Sequence, residues 1–592
     1  MKHVTIAGAF FLVSVAGWSA ETAPAAAERP IELPKFVVTD SRELPPPESW
    51  RYATMPGFEI LSNAPDKATQ RLIRDFTMFR QALGYVWKVP DLPSRPTALI
   101  ICGRGAKFDA FIPAGKYDAG TARASLFLKR GDQAAIVIDL QATTLNVLSD
   151  EVDDPATGVN SSEVQVDHDK QLYREYVHYL LSKAEPRLGA WFEEGLCQII
   201  MRMKFDRRYI EFARIEPFNT VSAQAALTAD LNTALSAEDP DATLLAGAPA
   251  EDRDFNAALA QKALVPFEKF FAVRHDSPEA LNPLGNNRWA KQAYAFVHMC
   301  LYGRGGRYQK AFGTFLVRSA REPVTEALFK ECFNLGYARM LDELRGYIEF
   351  TDYEAKEYRS KVDAIVPPPP LALRDATPSE IGRIKGETIL LAGHTASART
   401  ELIAPYIRGE RDPQLLAALG LFEHSAGEDD RARKFLQAAI DARVARPDAY
   451  LELARLRFAE ASTSPAAPGG QFSPEQTQAV ISLLTAGHTQ PPPLAPLYEL
   501  AADTWMRSVA NPRREDVAVL IEGVRNFPTR LRLVYQTASL CARAGMVPQA
   551  HALVGHALSV GPDAATRARF EELKATLPPD SSTPAAPARA GK

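Results

Sequence analysis

Four consecutive prolines, Pro367–Pro370, interrupt a chain of 592 residues and separate two stretches with different patterning. Proline holds φ near about −65° and offers no backbone N–H, so this run can enter neither a helix interior nor a central strand. It forms a stiff extended segment. Residues 366–374 are therefore expected to be a linker, with a domain over 51–365 before it and another over 375–577 after it.

Before the prolines the pattern alternates between strands and helices. Gly57–Asn63 alternates as a half-buried strand does, and Asp66–Leu83 places Leu72, Ile73, Phe76, Phe79 and Leu83 at helical spacing. Thr97–Cys102 is a nearly continuous apolar strand, and Ser125–Lys129 and Ala134–Leu140 are two more, joined by a turn at Arg130–Asp132. Together they make a small α+β layer. Glu151–Glu163 reads as an acidic surface loop.

Leu172–Ile200 then gives two helices around a proline-containing bend, the first opened by the polar run Asp167-His168-Asp169. On the first, Leu172, Tyr173, Tyr176, Val177, Leu180 and Leu181 form the apolar stripe, while Arg174 and His178 lie one turn apart on another face beside Glu175. The second buries Trp191, Phe192, Leu196, Ile199 and Ile200, and carries Glu193 and Glu194 just before Gly195. Arg207–Ala213 is expected to be a strand. Lys262–Val273, Trp289–Tyr302, Tyr308–Ser319, Thr325–Phe333 and Tyr337–Phe350 are expected helices, and Ser222–Asp254 yields no assignment.

Beyond the prolines the pattern becomes helix pairs. Leu416, Leu419, Gly420, Gly427, Ala432, Leu436 and Ala439 follow the spacing of a tetratricopeptide repeat, and the offsets return at Val534, Ala538, Gly545, Ala550, Ala557 and Pro562. Small residues let paired helices touch while large ones fill the seams. Four or five repeats are expected, several of them degenerate, with residues 578–592 as a disordered tail.

Composition narrows the function. A net charge of −4 leaves no basic footprint, so a nucleic-acid partner is not expected. Met1–Ala20 has a short basic start, an apolar run over Val4–Gly17 and small residues after it, the pattern of a secretory signal. The run is too short to span a bilayer, and no later stretch could cross one, so an exported chain without a membrane span is expected. Residues 21–50 read as an Ala/Pro-rich extended leader. The five cysteines are an odd number in apolar segments, which suits buried free thiols rather than a disulfide framework.

The sequence resembles the gluzincin metallopeptidase-like domains of exported bacterial proteins, on Phe58–Asn63, Ala98–Cys102, Arg174–His178, Ala190–Gly195 and Gln292–His298. Those domains typically read H-E-x-x-H, then W-x-x-E-G, then a helix with a tyrosine, and are often joined to tetratricopeptide repeats. The resemblance implies a zincin-like α+β fold followed by an all-α repeat solenoid. It implies Glu175 at the general-base position, His178 and Glu194 as zinc ligands, and Tyr294 as a candidate oxyanion stabiliser.

Arg174 departs from that pattern at the first ligand. Zinc needs lone-pair donors, and a guanidinium, protonated up to a pH above about 12, has none to give. His178 and Glu194 leave two protein ligands where catalytic zinc uses three, and without zinc Glu175 has no acidified water to activate. No cofactor is therefore expected, with Zn²⁺ retained only for an alternative zinc peptidase using a nonstandard ligand. His168 and His298 are the histidines that would have to supply it, and neither has ligand spacing to His178. Two readings of Arg174 follow: a satisfied polar residue on a helix pair kept for packing, or a cation in place of the metal, pairing with Glu194 and with Glu175 as second partner. Either way the repeats point to a protein or peptide partner rather than to catalysis.

Overall fold

The computed structural model of the chain describes residues 32–35, 44–87, 96–105, 107–113, 123–130, 133–148, 161–184, 186–212, 264–281, 287–350, 356–559, 561 and 563–578. Met1–Ala20, read as a signal, most of the expected leader, most of Glu151–Glu163, all of Ser222–Asp254 and nearly all of the expected tail lie outside the described residues.

Six strands form one mixed sheet: β1 (Arg51–Met55), β2 (Phe58–Ser62), β3 (Thr97–Cys102), β4 (Ser125–Arg130), β5 (Gln133–Asp139) and β11 (Arg374–Asp375). Their order is β11-β1-β2-β3-β5-β4, with β2–β3 and β3–β5 parallel and the other pairs antiparallel. A parallel pair needs a crossover, and α1 (Asp66–Val86) supplies it between β2 and β3. A hairpin of β6 (Thr144–Leu148) and β7 (Ser161–Gln165) precedes α2 (His168–Leu181) and α3 (Ala190–Met201). A second small sheet, in the order β10-β9-β8, joins β8 (Lys204–Asp206), β9 (Tyr209–Phe212) and β10 (Lys356–Arg359). Between β9 and β10 come α4 (Phe267–Ala272), α5 (Arg288–Tyr302), α6 (Gln309–Ser319), α7 (Glu326–Phe333) and α8 (Tyr337–Phe350).

Both faces of the large sheet are covered, which is why its central strands read as nearly continuous apolar runs. Ile60, Leu99, Ile101, Ile136 and Ile138 join the core built by Phe76, Phe79, Leu172 and Tyr176 of α1 and α2. The alternate residues Leu61, Ile100, Ala135 and Val137 join the core of the repeat half, with Ile381, Ile384 and Ile389 of α9 (Pro378–Leu391). Each fully buried large apolar side chain contributes roughly 1.5–3 kcal/mol.

The proline run does not act as a free spacer. Gln81 and Val366 exchange hydrogen bonds at 2.9 and 2.8 Å, Gln70 donates to Leu371 O at 3.3 Å, and Tyr85 donates to Ala364 O at 3.1 Å. The eleven helical positions from Gln70 to Gln81 rise about 16 Å, and the five polyproline positions from Val366 to Leu371 also rise about 16 Å. The segment therefore lies antiparallel along α1 as a strap, matched to it in length. Beyond it β11 returns to the large sheet, with Arg51 opposite Asp375 and Tyr52 opposite Arg374. Arg383 then binds Glu59 through two hydrogen bonds of 3.0 and 2.7 Å, and Lys385 reaches Glu48 at 3.0 Å and Glu401 at 2.9 Å. The two halves expected to be separate domains thus share a core and buried ion pairs.

The repeat region continues with α10 (Thr395–Ile407), α11 (Pro413–Ser425), α12 (Asp429–Asp441), α13 (Pro447–Thr463), α14 (Pro474–His488), α15 (Ala495–Arg507), α16 (Arg514–Asn526), α17 (Leu531–Arg543), α18 (Val547–Ser559) and α19 (Ala564–Thr576). From α9 onward consecutive helices pack in pairs, five among the described residues, and α19 closes the array against α18. A Cβ on Gly420 would stand 2.7 Å from Leu436, and one on Gly386 2.6 Å from Leu402, so these helices touch only because the side chain is absent. Gly427 and Gly545 take the intervening turns at φ +80° and +70°, a region that L side chains disfavour.

Candidate functional site

The chemistry-bearing residues sit where α2 passes beneath β4 and β5 and meets α3. Asp167 caps α2 by accepting the Lys170 N–H at 3.1 Å, and Lys129 of β4 donates to the carbonyl of Ser182 at the other end. Close packing of α3 on α5 depends on Gly195, where a Cβ would lie 2.5 Å from a Val297 methyl and 2.6 Å from Ala293 O. Glu193 and Glu194 precede that contact and face into the protein.

Four charged residues are buried here: Arg174 and Glu175 at 5% exposure, Glu194 at 2% and Glu193 at 0%. A buried charge is tolerated only when paired and hydrogen-bonded, and the pairing is specific. Arg174 Nη2 donates to Glu194 Oε2 at 2.9 Å, and its Nη1 lies 3.5 Å from Glu175 Oε1. Gln198 Nε2 donates to the other Glu194 oxygen at 2.7 Å. Ser125 Oγ of β4 stands 2.7 Å from Glu175 Oε1 and 3.0 Å from Gln171 Oε1, tying the sheet edge to α2. His178 lies 3.7 Å from Glu194 through Nε2 and 3.8 Å from Glu193 through Nδ1.

Glu193 has its own neutralising set. Arg187 grips it through two bonds of 2.9 Å, and His275, just after α4, approaches it at 3.1 Å. Burial pushes both carboxyls up, yet both are held below the usual carboxylate range, Glu194 chiefly by the Arg174 charge and Glu193 by the neighbouring His178 and His275 rings together with the Arg187 hydrogen bonds. Burial works against the Arg174 charge, and the Glu194 and Glu175 carboxylates outweigh it, so Arg174 stays protonated.

The structure thus brings Arg174, Glu175, His178 and Glu194 together, and of the two readings of Arg174 it shows the contact with Glu194 that the second one required. Tyr294 is fully buried on α5, under the Arg202 guanidinium at 5.2 Å and edge-on to the His298 ring at 5.8 Å. His298 Nδ1 is 2.8 Å from Tyr347 OH, and His168 Nε2 is 3.1 Å from Ala142 O, so both histidines are held by other partners. Ser125, Arg187, Gln198 and His275 were not singled out from the sequence. Of these Gln198 alone had a local signal, four residues after Glu194 on one helix face.

These residues do not fit a zinc ion. Glu194 Oε2, the oxygen that faces His178, is already paired with the Arg174 guanidinium, a fixed cation that offers no lone pair and repels a second cation. Among the described residues no group of three His, Cys, Asp or Glu side chains is disposed to hold a metal ion. What the arrangement can do is fasten two helices through a charge-assisted bond.

No protein-family model and no curated protein matches the sequence. Among solved structures, a thermophilic TPR protein of Thermus thermophilus matches 33% of this chain and 99% of its own length, at 17% identity and a TM-score of 0.23. The helical-repeat architecture of the C-terminal region is established by its own helices.

Proposed function

We propose that the chain is an exported, non-catalytic, peptidase-like protein whose helical repeats form a scaffold for binding a protein or peptide. The observation that supports the non-catalytic reading is the 2.9 Å bond from Arg174 to Glu194, at the position where the resembling peptidases place a metal ligand. A zinc peptidase polarises the scissile carbonyl and acidifies a water, and here a fixed cation holds the carboxylate that would serve the metal. The repeat array supports the binding reading, since stacked helix pairs bury their core between neighbours and expose long surfaces. Export rests on the Met1–Ala20 pattern.

The full-length chain, incubated with unfolded casein and added zinc, should leave the casein intact. Cleavage that Glu175→Gln abolishes would restore the enzyme reading. Peptides selected on the full chain should lose binding when residues of the repeat region are substituted; peptides unaffected by every such change would remove the scaffold reading. N-terminal sequencing of the mature chain should begin after the apolar run, and an intact Met1 would rule out signal cleavage.

A further inference from the structure

Seven large apolar side chains are exposed among the described residues, and four gather in one place. Tyr85 of α1 and Tyr358 of β10 hold their rings 5.4 Å apart, at 47% and 42% exposure. The Tyr85 hydroxyl binds Ala364 O, and Val362 and Val366 flank that residue at 71% and 57% exposure. The patch adjoins an open strand edge, because β10 pairs with β9 alone among the described residues.

The direction of the backbone groups on that edge follows from the register. Tyr358 lies opposite Ile210, and Ser360 donates its N–H to Arg208 O, so Lys356 and Tyr358 turn their backbone groups toward β9. Glu357 and Arg359 turn theirs outward. An incoming strand can bond only to these two, and a two-fold antiparallel pair of β10 edges must match outward residues with outward residues. Three registers centred on the strand satisfy that condition. One sets Glu357 against Glu357 of the second copy, and another sets Arg359 against Arg359, so both place like charges opposite one another. The third has its axis at Tyr358 and sets Glu357 against Arg359 twice. Charged residues on a short edge ordinarily block pairing; here they block two registers and favour one.

We propose that the partner of this edge is a second copy of the chain, paired antiparallel about a two-fold axis at Tyr358. Glu357 and Arg359, whose side chains meet at 3.0 Å within one strand, exchange backbone hydrogen bonds with Arg359 and Glu357 of the other copy, and the four side chains close an alternating ring of charges. Tyr358 then meets its counterpart in the closer, non-hydrogen-bonded position, and the two Tyr85 rings extend the contact on that face.

Sedimentation velocity of the full-length chain across the micromolar range is expected to show a reversible dimer. Glu357→Arg and Arg359→Glu should each weaken it about tenfold, since each turns both symmetric charge pairs repulsive. The double substitution should restore it. Glu357→Pro removes an N–H that points away from β9, so the monomer keeps its far-UV spectrum and melting temperature while the dimer is lost. A chain that stays monomeric throughout, or a dimer that the double substitution fails to restore or that survives Glu357→Pro, would overturn the proposal.

Discussion

Replacing Arg174 by methionine keeps most of the side-chain volume and removes the cation together with its hydrogen bonds to Glu194 and Glu175. Glu194 then keeps Gln198 at 2.7 Å and His178 at 3.7 Å, but its carboxylate is 2% exposed and has lost its guanidinium. Charge centres about 4 Å apart attract by about 4 kcal/mol at the effective dielectric suited to protein sites. Breaking a buried pair from one side leaves an uncompensated charge and costs about 3–5 kcal/mol. Urea unfolding followed by far-UV ellipticity should show that loss in the transition that unfolds the sheet and its helices. Adding Glu194→Gln removes the stranded charge while its amide still meets Gln198, so the double variant should regain about 1–3 kcal/mol over Arg174→Met. A single variant that loses less than about 1 kcal/mol, or a double variant whose loss is the sum of the two singles, would refute the reasoning.

Gly195→Ala should destabilise the same half by about 1–3 kcal/mol, read as a lower melting temperature, because the new methyl meets Val297 and the Ala293 carbonyl on α5. Gln81→Ala removes both hydrogen bonds to Val366, so the strap should loosen and limited proteolysis near Val366 should accelerate while the repeats stay intact. Glu48 joins the sheet to the repeats, and its carboxyl, which burial raises but Lys107, Trp50 and Lys385 lower further, is held down at about 2 against an ordinary value of 4.5. A depressed folded value means its contribution is complete above pH 4.5 and is lost as pH falls toward about 2. Stability measured across that window should drop in the native chain and drop less in Glu48→Gln.

Local patterning revealed most of the elements. The 3.6-residue spacing in Asp66–Leu83 and the apolar runs at Thr97–Cys102 and Ala134–Leu140 gave α1, β3 and β5, because those residues meet a core on every turn or on both faces. The pairing of Arg174 with Glu194 was one of two readings open in the sequence, suggested by a resemblance in which a cation stands at the position of a metal ligand while both carboxylates remain. Contacts that join distant segments were not legible. β11 is two residues long and carries no alternation, and its partner β1 is more than three hundred residues earlier. The proline run reads as a spacer from composition, since glutamines that reach it from α1 leave no mark in its own sequence. His275 meets Glu193 only because α4 folds back onto α3, a matter of tertiary packing rather than spacing.

Zinc binding by the native chain and by Arg174→His, measured side by side by equilibrium dialysis with metal analysis, addresses Arg174 directly. The native chain should hold no stoichiometric zinc, and Arg174→His, which gives three donors with His178 and Glu194, should gain a site that His178→Ala removes. One equivalent of zinc bound by the native chain and lost on His178→Ala would contradict the account.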